Sequence, residues 1–324
     1  MKILFTSTQR TSFITQDLNI LRKHFVVDHI ITRGVFAPFM VLIHILRADI
    51  TYTWFASVYS FVVVVLSRLM GKRSILVVGG VDVAKIPELR YGIWLSPWKA
   101  PLVKYALRNA SSVLAVDPSL QKKAIELAEY NGENIECVPT GYDAKLWVPN
   151  GHKEPFILTV AVCNNEWKMK VKGIDVLFAC ARTMSPTRFV VIGLASTLLK
   201  EHHSAPANVE LLPFVSQTDL LQYYQRAKVY CQPSFVEGLP NSVCEAMLCG
   251  CVPVGTNVGG IPTAMDGCGF LVPYGDPKDL ANAIQKALGA PASMGENARA
   301  YIVQRFSLEK REATLLRILK ESSR

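Results

Sequence analysis

The chain has 324 residues, of which 50% are hydrophobic and 19% are charged, a composition that excludes a disordered protein. This length exceeds the size at which one hydrophobic core keeps growing, so two domains are expected. The formal charge of +9 favours phosphates or an anionic membrane as partners. No helix-turn-helix, zinc-finger or aromatic-basic signature accompanies this charge, and nucleic acid is therefore not an expected partner.

In the first half, short apolar runs alternate with helical patterns, which is typical of parallel strands joined by crossover helices. The apolar start at residues 1–7 is too short for a signal peptide, so a cytoplasmic protein is expected. Residues 50–67 carry no charge, but their Thr, Tyr and Ser content favours a buried strand and a helix over a membrane span. The predicted strands are 2–6, 26–31, 50–53, 74–78, 112–116 and 135–138.

A stretch rich in Pro and Gly without periodicity, residues 139–155, predicts a linker. We therefore place an N-terminal Rossmann-like domain at 1–150 and a C-terminal one at 151–306. The tail, 307–324, predicts a capped amphipathic helix that can cross back to the N-terminal domain. The second set of predicted strands is 156–160, 188–192, 209–212, 229–232, 252–255 and 269–272, with helices at 176–183, 219–227, 242–248 and 279–288.

The segment from Tyr230 to Gly250 carries the strongest functional signal. An apolar strand leads into a loop containing Gly238, and a helix follows from about Ser242. Because the first amides of a helix and its dipole attract anions, this turn predicts a pyrophosphate site. Glu237 and Glu245 stand eight positions apart, so one carboxylate can reach a sugar while the other accepts hydrogen bonds from ribose hydroxyls. Taken alone, Glu245 is better explained as a residue that caps the helix or lies on its surface.

The order Pro-Ser, Glu-Gly-Leu-Pro-Asn-Ser and Glu-Ala-Met in this segment resembles the retaining GT4 family of glycosyltransferases, also called glycosyltransferase group 1. The resemblance implies an α/β protein of GT-B fold, with two doubly wound, Rossmann-like domains facing across a cleft. It implies transfer of a sugar from a nucleoside-diphosphate sugar of the UDP or GDP type to a carbohydrate or lipid-linked acceptor, with retention of configuration. It also implies that Glu237 contacts the donor sugar, that Glu245 contacts the ribose, and that the diphosphate is surrounded by Gly238, Leu239, Pro240, Asn241 and Ser242.

The family supplies an Arg and a Lys after the first strand of its second domain, where they neutralise the departing diphosphate. Lys172 matches the Lys, whereas the Arg is absent, so Lys168 or Lys170 is expected to substitute for it. A charged surface loop explains Lys168 and Lys170 equally well. Cations and helix amides that stabilise developing charge in this way are each worth about 3 kcal/mol.

Residues 208–224 resemble the family's strand and turn at the nucleoside base, which adds Val215 to the expected donor-binding residues. The usual His of the first domain is missing, and Asp82 is the nearest candidate for contacting sugar hydroxyls or the acceptor. A turn or helix-capping aspartate is an equally good interpretation of Asp82. No Asp-x-Asp triplet occurs in the sequence, so transfer without a metal ion or a separate cofactor is expected.

Two other hypotheses stay open: a nucleotide-sugar epimerase, and a non-catalytic subunit that binds nucleotide sugars, which the missing Arg and His suggest. The positive charge also allows peripheral association with the inner face of a membrane if the acceptor is lipid-linked. Scattered lysines and core tryptophans are the alternative explanation for the candidate surface, which comprises Trp94, Trp98, Lys99, Lys104 and Arg108.

Overall fold

The computed structural model describes residues 1–201 and 205–321. These residues form two compact units, one made of Met1–Gly141 with the C-terminal segment from Glu309, the other of Tyr142–Leu308. Each unit contains one six-stranded sheet in which every strand pairing is parallel. All the predicted strands are present, and the α/β, doubly wound fold class is confirmed.

The first unit has the strand order β2-β1-β3-β4-β5-β6. Its strands are β1 Lys2–Ser7, β2 Val26–Ile31, β3 Ile50–Trp54, β4 Arg73–Val78, β5 Ser112–Ala115 and β6 Ile135–Cys137. Its helices are α1 Ser12–His24, α2 Ala37–Ile45, α3 Val58–Leu69, α4 Lys99–Asn109 and α5 Pro118–Ala128, with the C-terminal α14 Leu308–Glu321.

The uncharged segment 50–67 is a strand followed by a helix, as predicted. β3 is buried along its whole length, because helices cover both faces of a parallel sheet. Ser57 and Ser60 form a capping box, which satisfies two amide groups and begins α3. Within 1–201 and 205–321, no helix has both the length and the apolar character that crossing a bilayer requires.

The second unit has the strand order β12-β11-β10-β7-β8-β9, so the order reverses between β7 and β10. Its strands are β7 Glu154–Cys163, β8 Phe189–Leu194, β9 Val209–Leu212, β10 Ala227–Gln232, β11 Val252–Thr256 and β12 Phe270–Val272. Its helices are α6 Glu166–Val171, α7 Ile174–Thr183, α8 Ser196–Glu201, α9 Gln217–Arg226, α10 Asn241–Leu248, α11 Ile261–Met265, α12 Pro277–Gly289 and α13 Ala292–Arg305.

A buried ion pair joins α14 to the body of the first unit. The Arg311 guanidinium donates from Nε to Asp17 Oδ1 at 3.0 Å and from Nη2 to Asp17 Oδ2 at 2.7 Å. Asp17 Oδ2 also accepts hydrogen bonds from the Tyr52 hydroxyl and the Trp54 indole, and Arg311 donates to the Val138 carbonyl. Since each charge has several partners, the pair can be buried without an unpaired polar group.

Replacing Arg311 with Met is expected to destabilise the first unit by about 3–5 kcal/mol, because Asp17 is then buried without its cation. The shift of the urea unfolding midpoint measures this loss. Arg317→Met on the same helix is the control, since its pair with Glu136 is half exposed and worth about 0–1 kcal/mol. Equal losses of unfolding free energy in the two variants would contradict a larger contribution from the buried ion pair.

Candidate functional site

The site predicted from the sequence lies at the carboxyl edge of the second sheet, where the strand order reverses. In doubly wound sheets the connections on the two sides of this point leave the sheet in opposite directions, and the resulting crevice binds ligands. The connection after β7 includes α6 and carries Lys168 and Lys172, and the loop after β10 carries Glu237. These loops are neighbours because β7 and β10 pair directly. Residues 65 positions apart in sequence thus meet at one point.

Glu237 is held by three hydrogen-bond donors that converge on one carboxylate oxygen. Its Oε1 accepts from Lys172 Nζ at 2.5 Å, from Ser234 Oγ at 2.8 Å and from Gln232 Nε2 at 2.9 Å. Gln232 and Ser234 are buried, and Glu237 is mostly buried. Bonds between charged partners are the stronger kind, so this carboxylate has a fixed position before any ligand binds. The structure therefore brings together two of the three predicted catalytic residues, Glu237 and Lys172, whereas the third, Asp82, belongs to the first unit.

Two glycines allow the loops around this pair to pack in close contact. Gly173, which follows Lys172, has a φ of +67°, and a Cβ there would lie 1.9 Å from the Pro233 carbonyl oxygen. Gly259 has a φ of +53°, and a Cβ there would lie 2.0 Å from the Glu237 carbonyl oxygen. A side chain at either position would force the loops apart. Lys172 reaches Glu237 because the backbone beside it packs directly on the neighbouring loop.

The start of α10 stands next to Glu237 in the chain. The first turn of any helix has amide groups that intrahelical bonds do not use, and its dipole favours an anion there. Leu239 and Pro240 are buried and position the turn, and the Gly238 carbonyl accepts from the Gly260 amide at 3.1 Å. The loop is thus anchored on its inner side, which suits a backbone site for a diphosphate.

The side chains of the first two α10 residues make contacts within the protein. Asn241 Oδ1 accepts from the Tyr142 hydroxyl at 2.8 Å, and Ser242 Oγ donates to Gln232 Oε1 at 3.1 Å. Both residues therefore fix the helix start through their side chains, while their backbone amides lie in the first turn. Contact of Asn241 and Ser242 with a diphosphate stays a prediction.

The two candidate lysines on α6 differ in their placement. Lys168 and Lys172 are four residues apart and share a helix face, whereas Lys170 lies on another face and is exposed. Burial raises the pKa of the Cys163 thiol to about 11, and the positive charges of Lys172 and Lys168 both oppose that rise. Cys163 is the last residue of β7, so this influence is consistent with both ammonium groups lying near the end of that strand. Lys168 is thus a better candidate than Lys170 for replacing the missing Arg.

Glu245 lies one turn into α10, where it is half buried. Its Oε2 accepts from the Tyr224 hydroxyl at 3.2 Å, and burial raises the pKa of the carboxyl to about 8. The same burial, together with the negative charge of Glu245, raises the pKa of Tyr224. Glu245 is therefore expected to keep its proton to higher pH than an ordinary helix-surface glutamate.

Glu245→Gln is expected to raise the melting temperature more at about pH 9 than at about pH 5. The folded protein keeps a proton on Glu245 up to about pH 8, whereas the unfolded chain loses it near 4.5. Stability therefore falls as pH rises through this window, and the substitution removes that loss. Thermal unfolding at both pH values tests this, with the exposed Glu296→Gln as the control. A pH-independent difference between wild type and variant would contradict a raised pKa.

Two predicted site residues lie elsewhere. Val215 is half buried in the loop after β9, at the same sheet edge but separated from β7 by β8. Asp82 belongs to the first unit and is buried, and its carboxylate accepts from the Ala56, Gly79 and Gly80 amides. Asp82 thus ties the loop after β4 to the loop after β3, and burial raises its pKa. Contact of Asp82 or Val215 with a substrate stays a prediction.

Sequence reasoning missed Gln232, Ser234 and Tyr224 as members of the site. Gln232 and Ser234 hold the Glu237 carboxylate, and Tyr224 bonds to Glu245. A polar residue at the end of the otherwise apolar β10 was an available signal for Gln232. Tyr224 gave no such signal, because a tyrosine on a helix is most simply explained as part of a core.

Residues 155–290 match the family model for Glycosyl transferases group 1. This segment is a group 1 glycosyltransferase domain. The matched residues include the loops after β7 and β10 and all of α10, so the group 1 domain contains the Glu237–Lys172 pair and Glu245. In the described part of the chain, no group of three or more His, Cys, Asp and Glu residues is placed to hold a metal ion.

Curated relatives with named activities align with only part of this chain. The gpi3 subunit of phosphatidylinositol N-acetylglucosaminyltransferase from Schizosaccharomyces pombe is 24% identical over 198 residues, which are 58% of this chain and 43% of that protein. D-inositol 3-phosphate glycosyltransferase from Saccharomonospora viridis is 35% identical over 116 residues, which are 34% of this chain and 27% of that protein. The chain thus spans less than half the length of these relatives.

Solved structures resemble the chain over nearly its whole length. Anabaena Alr3699/HepE in complex with UDP has a TM-score of 0.81 at 18% identity, covering 99% of this chain and 100% of that one. Sucrose-phosphate synthase from Thermosynechococcus elongatus has a TM-score of 0.79 at 16% identity, covering 99% and 98%. At such identities the likeness concerns the fold, which is the GT-B fold in which the group 1 domain is the second unit.

Proposed function

We propose that this chain transfers a glycosyl group from a nucleoside-diphosphate sugar of the UDP or GDP type to an acceptor hydroxyl. The observation that carries the proposal is the Glu237 carboxylate, fixed by Lys172, Ser234 and Gln232 at the switch point of a group 1 domain. A carboxylate held in this way accepts hydrogen bonds from sugar hydroxyls, and the neighbouring ammonium stabilises an anion.

Each part of a donor has a matching group at this sheet edge. The start of α10 and the Lys172 ammonium suit the diphosphate, with Lys168 as the second cation. Glu245, one turn further along α10, suits the ribose hydroxyls, and Val215 suits the base. The complex of Anabaena Alr3699/HepE with UDP supports a nucleotide of this class as a ligand of the fold.

Retention of configuration and transfer without a metal ion are further parts of the proposal. The bond between the anomeric carbon and the phosphate oxygen breaks, the acceptor oxygen bonds to that carbon on the same face, and the leaving phosphate takes the acceptor proton. Glu237 Oε1 already accepts three hydrogen bonds, which lowers its nucleophilicity and suits positioning better than covalent attack. The charge of the leaving diphosphate is balanced by Lys172, Lys168 and the helix amides.

We propose a carbohydrate or lipid-linked acceptor, and activity in the cytoplasm, at the inner face of a membrane when the acceptor is lipid-linked. The support is that relatives include enzymes named for phosphatidylinositol and for inositol 3-phosphate as substrates. Both names describe a glycosyl group passing to an inositol hydroxyl. The proposed acceptor therefore offers a hydroxyl on a polar ring.

A thermal-shift panel of UDP-, GDP- and ADP-sugars tests the donor assignment, because a ligand that binds only the folded protein raises its melting temperature. One nucleotide class is expected to give a shift of several degrees at saturation. Turnover of the stabilising donor with and without an added acceptor then separates the hypotheses. Donor binding without transfer indicates a binding subunit, and conversion of the donor sugar without acceptor indicates an epimerase. No shift with any donor contradicts the proposed function.

A further inference from the structure

The second helix of the first unit, α2, is apolar except for His44, whose ring bonds to Asp28 of β2. Its inner residues Val41 and Ile45 pack into a core cluster with Leu4 and Val63. Surface helices of globular proteins normally have a polar outer face, whereas a helix that is apolar all round is covered on every side. The outer face of α2 therefore needs an explanation.

That outer face forms a continuous apolar stripe. Phe36 is 77% exposed and Phe39 is 61% exposed, and they are followed by exposed Met40, Ile43 and Leu46. The spacing of three, four, seven and ten residues after Phe36 places these side chains along one side of the helix. Contiguous apolar surface of this kind marks an interaction site, unlike single exposed apolar residues.

An open cleft of about 540 Å³ continues the apolar surface towards the start of α4. Val35 and Tyr59 line it, together with Trp98 and Lys99. Trp98 is 62% exposed, and the Lys99 ammonium lies 5.2 Å from its ring centroid. An exposed tryptophan beside a lysine is the combination that prefers the boundary between lipid chains and headgroups.

The three helices of this face contain no acidic residue. α2 packs against α3 and α3 against α4, and between Asp28 and Asp82 the sequence has a single carboxylate, Asp49. Arg33 and Arg47, which lie before and after α2 in the chain, are exposed cations. Two copies of such a face would bring like charges together, whereas an anionic surface complements it. The charge pattern therefore favours anionic lipid over a second copy of this chain.

We propose that the stripe Phe36, Phe39, Met40, Ile43 and Leu46, with Trp98 and Lys99, docks the protein on the surface of a bilayer that contains anionic phospholipid. The nine residues of α2 are too few to cross a membrane, so the helix lies in the plane of the headgroups with its stripe towards the lipid chains. This proposal concerns the first unit alone and does not rest on the proposed function.

Co-sedimentation of the full chain with vesicles tests it. Binding is expected to vesicles of equal parts phosphatidylcholine and phosphatidylglycerol, and to be weaker with phosphatidylcholine alone. The double variant Phe36→Asp, Phe39→Asp is expected to lower the partition coefficient by about tenfold or more, since it removes two buried aromatic rings from the lipid. Replacing Arg33 and Lys99 with Gln is expected to lower the partition coefficient on anionic vesicles by about fivefold for each charge removed.

Val303→Asp is the matched control, because Val303 is 41% exposed but belongs to α13 of the second unit, outside the stripe. Its melting temperature and vesicle binding are expected to match wild type. Failure of wild type to bind anionic vesicles, or equal binding by the folded Phe36→Asp, Phe39→Asp variant, overturns the proposal. So does a wild-type dimer in solution that this variant converts to a monomer, because a second copy then covers the face.

Discussion

Glu237→Gln is expected to lower the rate of glycosyl transfer by about 10²-fold or more while the protein stays folded. The substitution keeps the size of the side chain but removes the negative charge that holds Lys172. In the proposed function the same carboxylate accepts hydrogen bonds from the sugar hydroxyls. Nucleotide affinity is expected to change much less, because Glu245 and the start of α10 are untouched. Initial rates at saturating donor, with a thermal-shift titration of the free nucleotide, separate the two effects.

Glu210→Gln is the control for this substitution. Glu210 belongs to the same unit and also pairs with a cation, Arg188, but the pair is exposed at β9. Its loss is expected to leave the transfer rate unchanged. Full activity of a folded Glu237→Gln protein would remove the central support for the proposed function.

Lys172→Met is expected to lower the transfer rate by about 10²–10³-fold, the effect of removing one group that stabilises charge on a leaving oxyanion. The ammonium is needed most when the diphosphate departs, so the loss is expected mainly in kcat. Loss of Lys172 also leaves Glu237 with only its neutral donors, Ser234 and Gln232. Steady-state kinetics with the donor identified by thermal shift measures the effect.

The α6 lysines provide matched comparisons for Lys172. Lys168→Met is expected to give an intermediate loss, because Lys168 shares a helix face with Lys172 and acts on the same thiol, Cys163. Lys170→Met is expected to be neutral, since Lys170 is exposed on another face. A larger loss for Lys170 than for Lys168 would contradict the assignment of the second cation.

The strands were predictable because both sheets are parallel. A strand covered on both faces reads as a short, continuous apolar run, as in Ile75–Val78 of β4, whose residues are all buried. The helix α13 was not predicted, because its sequence alternates small, polar and apolar residues without a clear stripe. Its position depends on packing against α10, which is a tertiary effect.

The raised pKa of Glu245 could not be predicted either. The sequence placed it on a helix one turn beyond a loop, which describes an exposed and a buried carboxyl equally well. Burial beside Tyr224 sets the pKa, and burial depends on how α9 and α10 pack. The same holds for Asp82, whose three amide partners come from two loops.

The amino-acid sequence was enough to predict the two α/β units, the turn ahead of α10 and the carboxylates on either side of it. These features are local, since they follow from apolar periodicity and from the spacing of a few residues within one segment. The contact of Lys172 with Glu237, and the hold of Gln232 and Ser234 on the same carboxylate oxygen, became visible only in the folded chain. Contacts between loops depend on strand order and on the close approach of Gly173 and Gly259 to neighbouring backbone, which spacing along the chain does not encode.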